Sequence, residues 1–226
     1  QLYELVETYE PSLIFSDGGE WDLTEEESSV RSFLSWLYQE SPVKDKVVVN
    51  DRFYKEMPGN HGDYYSTEYR DKVIGGHPWE ESRGIGKSYG FNRAERLEDY
   101  STSKELISEL VSIVSKGGNF LLNIGPMADG TIPIHEVERL MEIGAWLEIC
   151  GEAIYDTTPY EEESKIPVTA KDEALYLFLQ STDFKKIPFL LGQERKIQKI
   201  EVLGVQKDCH FSYDQEQLEI SVDNLV

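Results

Sequence analysis

The 226-residue sequence has few of the residues that build metal centres and disulfide networks. Only two cysteines are present, Cys150 and Cys209, and the four histidines are scattered along the chain. None of these residues stands at the spacing of metal ligands, and two cysteines are too few for a disulfide framework. We therefore predict no metal site. The spacing does not decide whether Cys150 and Cys209 form a single disulfide bridge.

Positive charge is scarce as well, because 22 Lys and Arg residues stand against 43 Asp and Glu residues, for a formal net charge of −21. Such a surface repels phosphate groups, so nucleic acids and anionic membranes are excluded as partners. No apolar run reaches the roughly 18 residues of a membrane-spanning helix. The chain begins without Met, inside an amphipathic helical pattern, so we expect its N-terminus to lie upstream of Gln1.

Two common enzyme motifs find no functional support in the sequence. The segment Gly84-Ile-Gly86-Lys87-Ser88 is similar to a phosphate-binding loop, but the first glycine that the motif requires falls on Glu81. Gly86-Lys87-Ser88-Tyr89-Gly90 has the letters of the Gly-x-Ser-x-Gly motif, but the sequence suggests no serine–histidine pairing, so we predict no serine-hydrolase site. Carboxylates remain as the residues that could carry chemistry.

Strands and helices are predicted to alternate through the first three-quarters of the chain. The segments at residues 13–15, 47–51 and 119–125 predict buried strands, and residues 79–85 are a further candidate strand. Helices are expected at 30–38 and from Pro133 onwards. A further helix is expected to have Ser101 or Ser103 as its cap, an apolar stripe from Leu106 to Val114, and its end at Gly117-Gly118. This alternation predicts an α/β fold with a parallel sheet. Polar residues follow the strands, as in a (β/α)8 barrel, but such a barrel needs eight strands and only about four precede Tyr155.

The pattern changes after Pro159. A polar link is followed by short alternating runs that predict an antiparallel β-sandwich, at residues 174–179, 189–191, 197–203, 210–213 and 218–222. We therefore expect two domains, residues 1–158 and residues 159–226.

Retaining glycoside hydrolysis needs a nucleophilic carboxylate and an acid/base carboxylate about 5–5.5 Å apart. Asp17 is the candidate nucleophile, since it follows a buried strand beside Gly18 and Gly19, although Asp-Gly is equally common in plain turns. The candidates for the second carboxylate are Asp51, Glu68, Glu80 and Glu81. Asp51 stands next to Arg52, which favours a structural or binding role. Glu68 is expected in a loop, residues 61–70, that covers the site, and its alternative is a solvated loop glutamate.

Several long stretches resemble the α-L-fucosidases of glycoside hydrolase family 29. They include Tyr9-Glu-Pro-Ser-Leu-Ile-Phe-Ser-Asp-Gly18, Ser41-Pro-Val-Lys-Asp-Lys-Val-Val-Val-Asn-Asp-Arg52, His61-Gly-Asp-Tyr-Tyr65 and Gly117-Gly-Asn-Phe-Leu-Leu-Asn-Ile-Gly-Pro126. The resemblance implies the C-terminal part of a (β/α)8 barrel followed by an antiparallel β-sandwich. It also explains the low strand count, because the family's fucose-binding histidines and another carboxylate lie on earlier strands that this chain does not contain.

The resemblance implies a retaining exo-α-L-fucosidase that needs no cofactor and acts on fucosylated glycans or glycoproteins, in a lysosomal or secreted location. It assigns Asp17 as nucleophile and Glu68 as acid/base, with Glu80 as the alternative. It assigns sugar binding to Arg52, Phe15, Tyr89 and Trp79, where Phe15 and Tyr89 would enclose the C5 methyl of fucose and Phe15 stands where the family usually has Trp. A non-catalytic fucose-binding remnant is the alternative function, and the oligomeric state stays open.

Overall fold

The computed structural model describes residues 1–18, 22–69, 76–162, 164–179, 187–192, 196–206, 209–214 and 216–222. Two compact units are present, residues 1–83 and residues 84–226. Gly19 and Arg70, which belong to the predicted glycine turn and the predicted loop, lie outside the described residues. No helix in the described part of the chain is both long and apolar enough to cross a membrane.

The first unit is built on parallel strands. Its helices are α1 (Leu2–Tyr9), α2 (Glu25–Ser28) and α3 (Val30–Gln39), and its strands are β1 (Leu13–Ile14), β2 (Val48–Val49), β3 (Tyr65–Glu68) and β4 (Trp79–Gly84). β1 pairs in parallel with β2, and β3 with β4, while a parallel bridge between Asn50 and Tyr64 connects the two pairs. The C-terminal ends of all four strands therefore point the same way.

The core of the first unit comes from helical periodicity in α3. Val30, Phe33 and Leu37 are buried at i, i+3 and i+7, so they line one face of the helix. They pack with Val6 from α1 and with other apolar side chains of the unit, among them Val43, Val47, Val49, Phe53 and Met57. This cluster supports β1 and β2 from one side and leaves their C-terminal ends available for polar residues.

The second unit contains α4 (Ser103–Val114), β5 (Gly118–Asn123) and α5 (Ile134–Cys150), which pack around Ile85, Tyr100 and Leu106. The prediction that Ser101 or Ser103 caps α4 is wrong, because Thr102 is the cap. Thr102 Oγ1 accepts a hydrogen bond from the Glu105 N–H, and the Glu105 carboxylate accepts one from the Thr102 N–H. This reciprocal pair requires the Glu three residues after the cap, which only Thr102 has.

Antiparallel strands follow α5 in the described part of the second unit. One sheet contains β6 (Thr158–Pro159), β7 (Val168–Lys171) and β8 (Ala174–Leu177), and another has β9 (Ile187–Pro188), β10 (Cys209–Asp214) and β11 (Gln217–Val222) in the order β10-β11-β9. Val168 from one sheet and Leu218 from the other belong to one hydrophobic cluster. The change to antiparallel pairing thus starts at Thr158, and the two-domain boundary after residue 158 stays a prediction.

Two of the expected strands are absent from the described residues, at 189–191 and 197–203. The first segment bonds instead to the side chain of Tyr213, whose hydroxyl accepts from the Leu191 N–H and donates to the Phe189 carbonyl. In the second, Ile197 and Ile200 pack against the hydrophobic cluster without pairing to a strand. An apolar run therefore marked burial correctly in both places, but not strand pairing.

Candidate active site

Arg52 brings two of the predicted catalytic carboxylates together. Its Nη2 lies 2.9 Å from Asp17 Oδ1, and its Nη1 lies 3.2 Å from Glu68 Oε2. The Arg52 side chain is only 9% exposed, whereas Asp17 is 74% and Glu68 is 35% exposed. The buried Arg52 guanidinium thus holds the carboxylates of Asp17 and Glu68, both of which are accessible to solvent. Because the two carboxylates bind to the two ends of one planar group, the size of that group limits the distance between them.

Parallel pairing explains this convergence of distant segments. Asp17 comes three residues after β1, Arg52 comes three residues after β2, and Glu68 is the last residue of β3. Since β1, the β2 segment and the β3 segment are neighbours and run in parallel, their C-terminal ends meet at one edge.

The chain after β1 is fixed to the chain after β2 by three hydrogen bonds. Asn50, which is fully buried, accepts from the Ser16 N–H through Oδ1 (2.8 Å) and donates to the Ser16 carbonyl through Nδ2 (2.7 Å). The Gly18 N–H donates to the Arg52 carbonyl at 2.7 Å. A side chain at Gly18 would place its Cβ 3.2 Å from the carbonyl oxygens of Arg52 and Phe53. The glycine after Asp17 therefore permits a close backbone approach that positions the carboxylate.

Asp51 has a structural role in this arrangement. Its buried carboxylate accepts hydrogen bonds from the Ser66 N–H (2.8 Å), the Ser66 hydroxyl (3.0 Å) and the Gly59 N–H (2.8 Å). These bonds tie the end of β2 to β3, two residues before Glu68.

Glu68 does not lie in a loop, as the sequence predicted, but at the end of β3, where it pairs with Ser82 of β4. The strand was missed because three of its four residues, Ser66, Thr67 and Glu68, are polar, so the segment lacks the alternation of a half-buried strand. β3 forms a strand because it pairs in parallel with β4, a partner that the local sequence of β3 could not indicate.

Glu80 lies opposite Ser66 and, by strand alternation, on the same face of the β3–β4 pair as Glu68. Its Oε1 is buried without a hydrogen-bond partner among the described residues, and so is the hydroxyl of Tyr64. Burial raises the pKa of the Glu80 carboxyl above its usual value. Burial, and secondly the neighbouring Glu80 and Asp51 carboxylates, raise the pKa of Tyr64.

Glu81 points to the other face of the pair, where it is almost completely buried. It accepts hydrogen bonds from the Thr67 hydroxyl and from Arg83 Nη2, the latter at 3.1 Å. These contacts account for Glu81 as a structural residue.

The predicted aromatic residues have different surroundings. Phe15 is partly exposed, and its ring centroid lies 5.9 Å from the Arg52 guanidinium carbon, within the range of a cation–π contact. Trp79 is buried at the start of β4, opposite Tyr65. Tyr89 belongs to the second unit, where its ring is exposed and its carbonyl accepts from Asn123 Nδ2 at 2.7 Å. The sugar-binding roles of these three residues and of Arg52 stay predictions.

Comparison with known proteins places the chain in a family. A profile described as Alpha-L-fucosidase matches residues 1–152. The chain belongs to the alpha-L-fucosidase family. It is 42% identical over 236 aligned residues to the human tissue alpha-L-fucosidase, covering all of this chain and 50% of that protein. It is 45% identical over 166 residues to an alpha-L-fucosidase of Dictyostelium discoideum, covering 73% of this chain and 36% of that protein.

Solved structures give the same answer. The crystal structure of Thermotoga maritima alpha-fucosidase with a mechanism-based inhibitor superposes with a TM-score of 0.81 at 33% identity. The match covers 98% of this chain and 51% of that one. The chain therefore spans about half the length of the alpha-L-fucosidases it resembles, and the resemblance found in the sequence is confirmed.

Asn50 and Ser66 are the residues of this fucosidase-family site that sequence reasoning missed. Both act through the backbone or through Asp51, so they carry no catalytic signature of their own. A signal existed only for Asn50, which ends an apolar run directly before Asp51 and Arg52. In the described part of the chain, no group of three or more His, Cys, Asp or Glu side chains is arranged to hold a metal ion.

Proposed function

We propose that this chain carries the catalytic pair of a retaining exo-α-L-fucosidase, which releases terminal α-L-fucose from fucosylated glycans or glycoproteins. One observation carries the proposal: a single guanidinium, that of Arg52, contacts both Asp17 and Glu68 at the ends of adjacent parallel strands. Relatives named tissue and plasma alpha-L-fucosidase support a lysosomal or secreted location.

We further propose that the chain is the C-terminal part of a (β/α)8 barrel followed by a β-sandwich. Four parallel strands, β1 to β4, with polar residues after or at their C-terminal ends support the barrel. Two antiparallel sheets that share one hydrophobic cluster support the sandwich. The relatives are about twice as long, so the remaining barrel strands would come from a segment outside this sequence.

The mechanism uses two displacements at the anomeric carbon. Asp17 attacks this carbon while Glu68 donates its proton to the departing glycosidic oxygen, which leaves a covalent glycosyl-enzyme. Glu68 then takes a proton from water, which attacks the same carbon and displaces Asp17, so the configuration is retained. Arg52 donates hydrogen bonds to the sugar oxygens once the substrate has replaced Glu68 on its Nη1.

The preference for fucose follows from the methyl group of a 6-deoxy sugar. Phe15 would provide an apolar contact for this methyl, and the resemblance to the family assigns Tyr89 to the same role. A sugar with a hydroxyl at the same carbon would bury that hydroxyl without a partner, which costs about 1–3 kcal/mol.

Glu80 is the alternative acid/base, and a specific observation favours it. Its raised pKa keeps it protonated to higher pH, as a general acid requires. Against it stands the burial of its Oε1, whereas Glu68 is at the exposed end of the same face. We assign Glu68 because an acid/base must reach both the leaving oxygen and a water molecule.

The nucleophile is tested with Asp17→Gly in the full-length protein. Hydrolysis of an aryl α-L-fucoside should fall by at least about 10³-fold. With a good leaving group, added azide should take the place of the missing carboxylate and give the inverted product, β-L-fucosyl azide. Activity within a few-fold of wild type would remove Asp17 from the mechanism.

The acid/base is tested by comparing Glu68→Ala with Glu80→Ala. The variant that lacks the acid/base should keep activity on substrates with good leaving groups and should be rescued by azide with retention, giving α-L-fucosyl azide. We expect this behaviour from Glu68→Ala alone, and rescue of Glu80→Ala alone would reverse the assignment.

A non-catalytic fucose-binding remnant is the second candidate, favoured by the length of the chain. β1 has a neighbour on one side only among the described residues, and Leu13 on it is exposed, so the isolated 226 residues present an open sheet edge. Isothermal titration of this polypeptide with fucose, beside an activity assay, separates the two functions. Binding without turnover in the full-length protein as well would favour the remnant.

A further inference from the structure

The edge of β2 that faces away from β1 has backbone groups to satisfy. Toward β1, the Val48 N–H donates to the Ser12 carbonyl at 2.9 Å, and the Asn50 N–H donates to the Ile14 carbonyl at 3.3 Å. Val49 stands between them, so its own N–H and carbonyl point to the opposite side. Because Val49 is buried, these two groups need partners there.

Asp63 supplies both partners. Its Oδ2 accepts a hydrogen bond from the Val49 N–H at 2.8 Å, and its own N–H donates to the Val49 carbonyl at 2.9 Å. The next residue, Tyr64, forms the parallel bridge with Asn50. The Asp63 carboxylate therefore takes the place of a backbone carbonyl where β2 pairs with the segment that leads into β3.

A tyrosine of α3 holds the same carboxylate oxygen. The Tyr38 hydroxyl donates to Asp63 Oδ2 at 2.5 Å. Burial, and secondly this hydrogen bond, raise the pKa of the Tyr38 hydroxyl, so it keeps its proton and can donate at neutral pH. Phe33 and Leu37 anchor α3 in the hydrophobic core, so Asp63 is attached to a fixed helix as well as to a strand.

The backbone directly before Asp63 lies close to the end of β2. Gly62 has a φ of +128°, and a Cβ there would lie 3.0 Å from the Asp51 backbone nitrogen. The Gly62 carbonyl oxygen lies 3.1 Å from His77 Nε2. Glycine permits this conformation and this approach, which bring Asp63 next to β2.

The joint between β2 and β3 matters because the two strands carry different catalytic groups. Arg52, which contacts Asp17, follows β2, whereas Glu68 ends β3. A shift of one residue moves a strand by about 3.3 Å, which would break the contact between Arg52 Nη1 and Glu68 Oε2 at 3.2 Å. Even a displacement of about 1 Å at the reacting groups can lower a rate about 10²-fold.

We propose that Asp63 is a positioning residue, which joins β2 to the segment leading into β3 and so keeps Glu68 in place to protonate the departing oxygen. Asp51 holds the end of that segment through Ser66, and Asp63 holds its beginning. The inference rests on the proposed function, in which Glu68 is the acid/base. Asp63 itself does not touch the sugar in this proposal.

The kinetic test uses the full-length protein with Asp63→Ala and Asp63→Asn. The Val49 N–H and the Tyr38 hydroxyl both donate to Oδ2, so Asn can accept both bonds through its amide oxygen, whereas Ala has no acceptor. Asp45→Ala and Asp45→Asn, at an exposed aspartate of the same unit, are the matched controls. The substrates are a nitrophenyl and a methylphenyl α-L-fucoside. The methylphenyl group is the poorer leaving group, so its departure depends more on a proton from the acid/base.

Asp63→Ala should lower kcat/KM about tenfold on the methylphenyl fucoside and no more than about twofold on the nitrophenyl fucoside. Asp63→Asn and both Asp45 variants should stay within about twofold of wild type on both substrates. A purely structural role would reduce the two activities in equal proportion, so equal losses in Asp63→Ala overturn the proposal. Losses in Asp63→Asn that match those in Asp63→Ala overturn it too, because Asn keeps the acceptor.

Hydrogen exchange tests the joint between the strands independently of activity. In Asp63→Ala, amides in peptides covering residues 47–52 and 63–68 should exchange about tenfold faster than in Asp63→Asn. Equal exchange rates in the two variants overturn the proposal, even if fucoside hydrolysis is normal. Faster exchange in a protein whose wild type does not hydrolyse fucosides would instead refute the proposed function, and with it the role toward Glu68, and leave Asp63 as a structural link between strands.

Discussion

Asp51→Ala should destabilise the protein and its catalytic pair together. The carboxylate accepts three hydrogen bonds at 2.8, 2.8 and 3.0 Å, two from Ser66 and one from Gly59. Hydrogen bonds to a charged group contribute about 1.5–3 kcal/mol each. The cost of burying the carboxylate offsets part of this stabilisation. In the variant, water can replace the carboxylate as the acceptor for the exposed Gly59 N–H. We therefore expect Asp51→Ala to lower the free energy of unfolding by about 2–4 kcal/mol.

A graded series sharpens this prediction. Asp51→Asn keeps the shape but turns one acceptor into a donor that faces an N–H, so it should cost about 2 kcal/mol. Ser66→Ala removes only the hydroxyl bond and should cost about 1 kcal/mol. Asp45→Ala, at an exposed aspartate of the same unit, is the control and should stay within about 0.5 kcal/mol.

The assay is urea unfolding of the full-length variants, followed by tryptophan fluorescence, together with hydrolysis of an aryl α-L-fucoside. Because Asp51 joins the segment carrying Arg52 to the strand carrying Glu68, kcat/KM should fall by about 10²-fold in Asp51→Asn. If Asp51→Ala lowers the free energy of unfolding by less than about 1 kcal/mol, the argument that these hydrogen bonds connect the end of β2 to β3 is refuted.

Three further predictions concern other parts of the chain. Gly125→Ala should lower the free energy of unfolding by at least about 2 kcal/mol, because the new Cβ would meet the Phe91 backbone. Gly144→Ala, at an exposed helix position, should raise it by about 0.5–1 kcal/mol, and urea unfolding compares the two variants. Burial raises the pKa of Glu80 in the folded state, so its contribution to stability is present below the unfolded pKa of 4.5 and is lost as the pH rises through the folded pKa. Glu80→Gln should therefore become more stable relative to wild type as the pH rises from about 4 to about 7. The same dependence of unfolding free energy on pH in both proteins would contradict this. Tyr213→Phe removes the bonds to Leu191 and Phe189 and should cost about 1–2 kcal/mol in thermal unfolding, with no change in fucoside hydrolysis.

Local patterns predicted the helices and several strands well. The pattern at residues 30–38 predicted the helix α3, and the runs at 210–213 and 218–222 predicted β10 and β11. In each case the burial periodicity is contained within one short segment, so no distant partner is needed to recognise it.

Predictions failed where a partner elsewhere decides the structure. Glu68 was expected in a loop, because β3 is polar and becomes a strand only through its parallel pairing with β4. The run at 197–203 looked like a strand, yet its isoleucines are partly buried against the hydrophobic cluster without any strand partner among the described residues. β6 and β7 were not predicted at all.

The amino-acid sequence alone was sufficient to recognise the family and to nominate Asp17, Arg52 and Glu68, because side-chain chemistry and long ordered motifs are local properties. Tertiary structure decided that one guanidinium serves both carboxylates, whereas Asp51 is used to join strands. The physical reason is register: the pairing of residues 13–14 with residues 48–49, and of Asn50 with Tyr64, is fixed by contacts between segments far apart in the chain, which no single segment encodes.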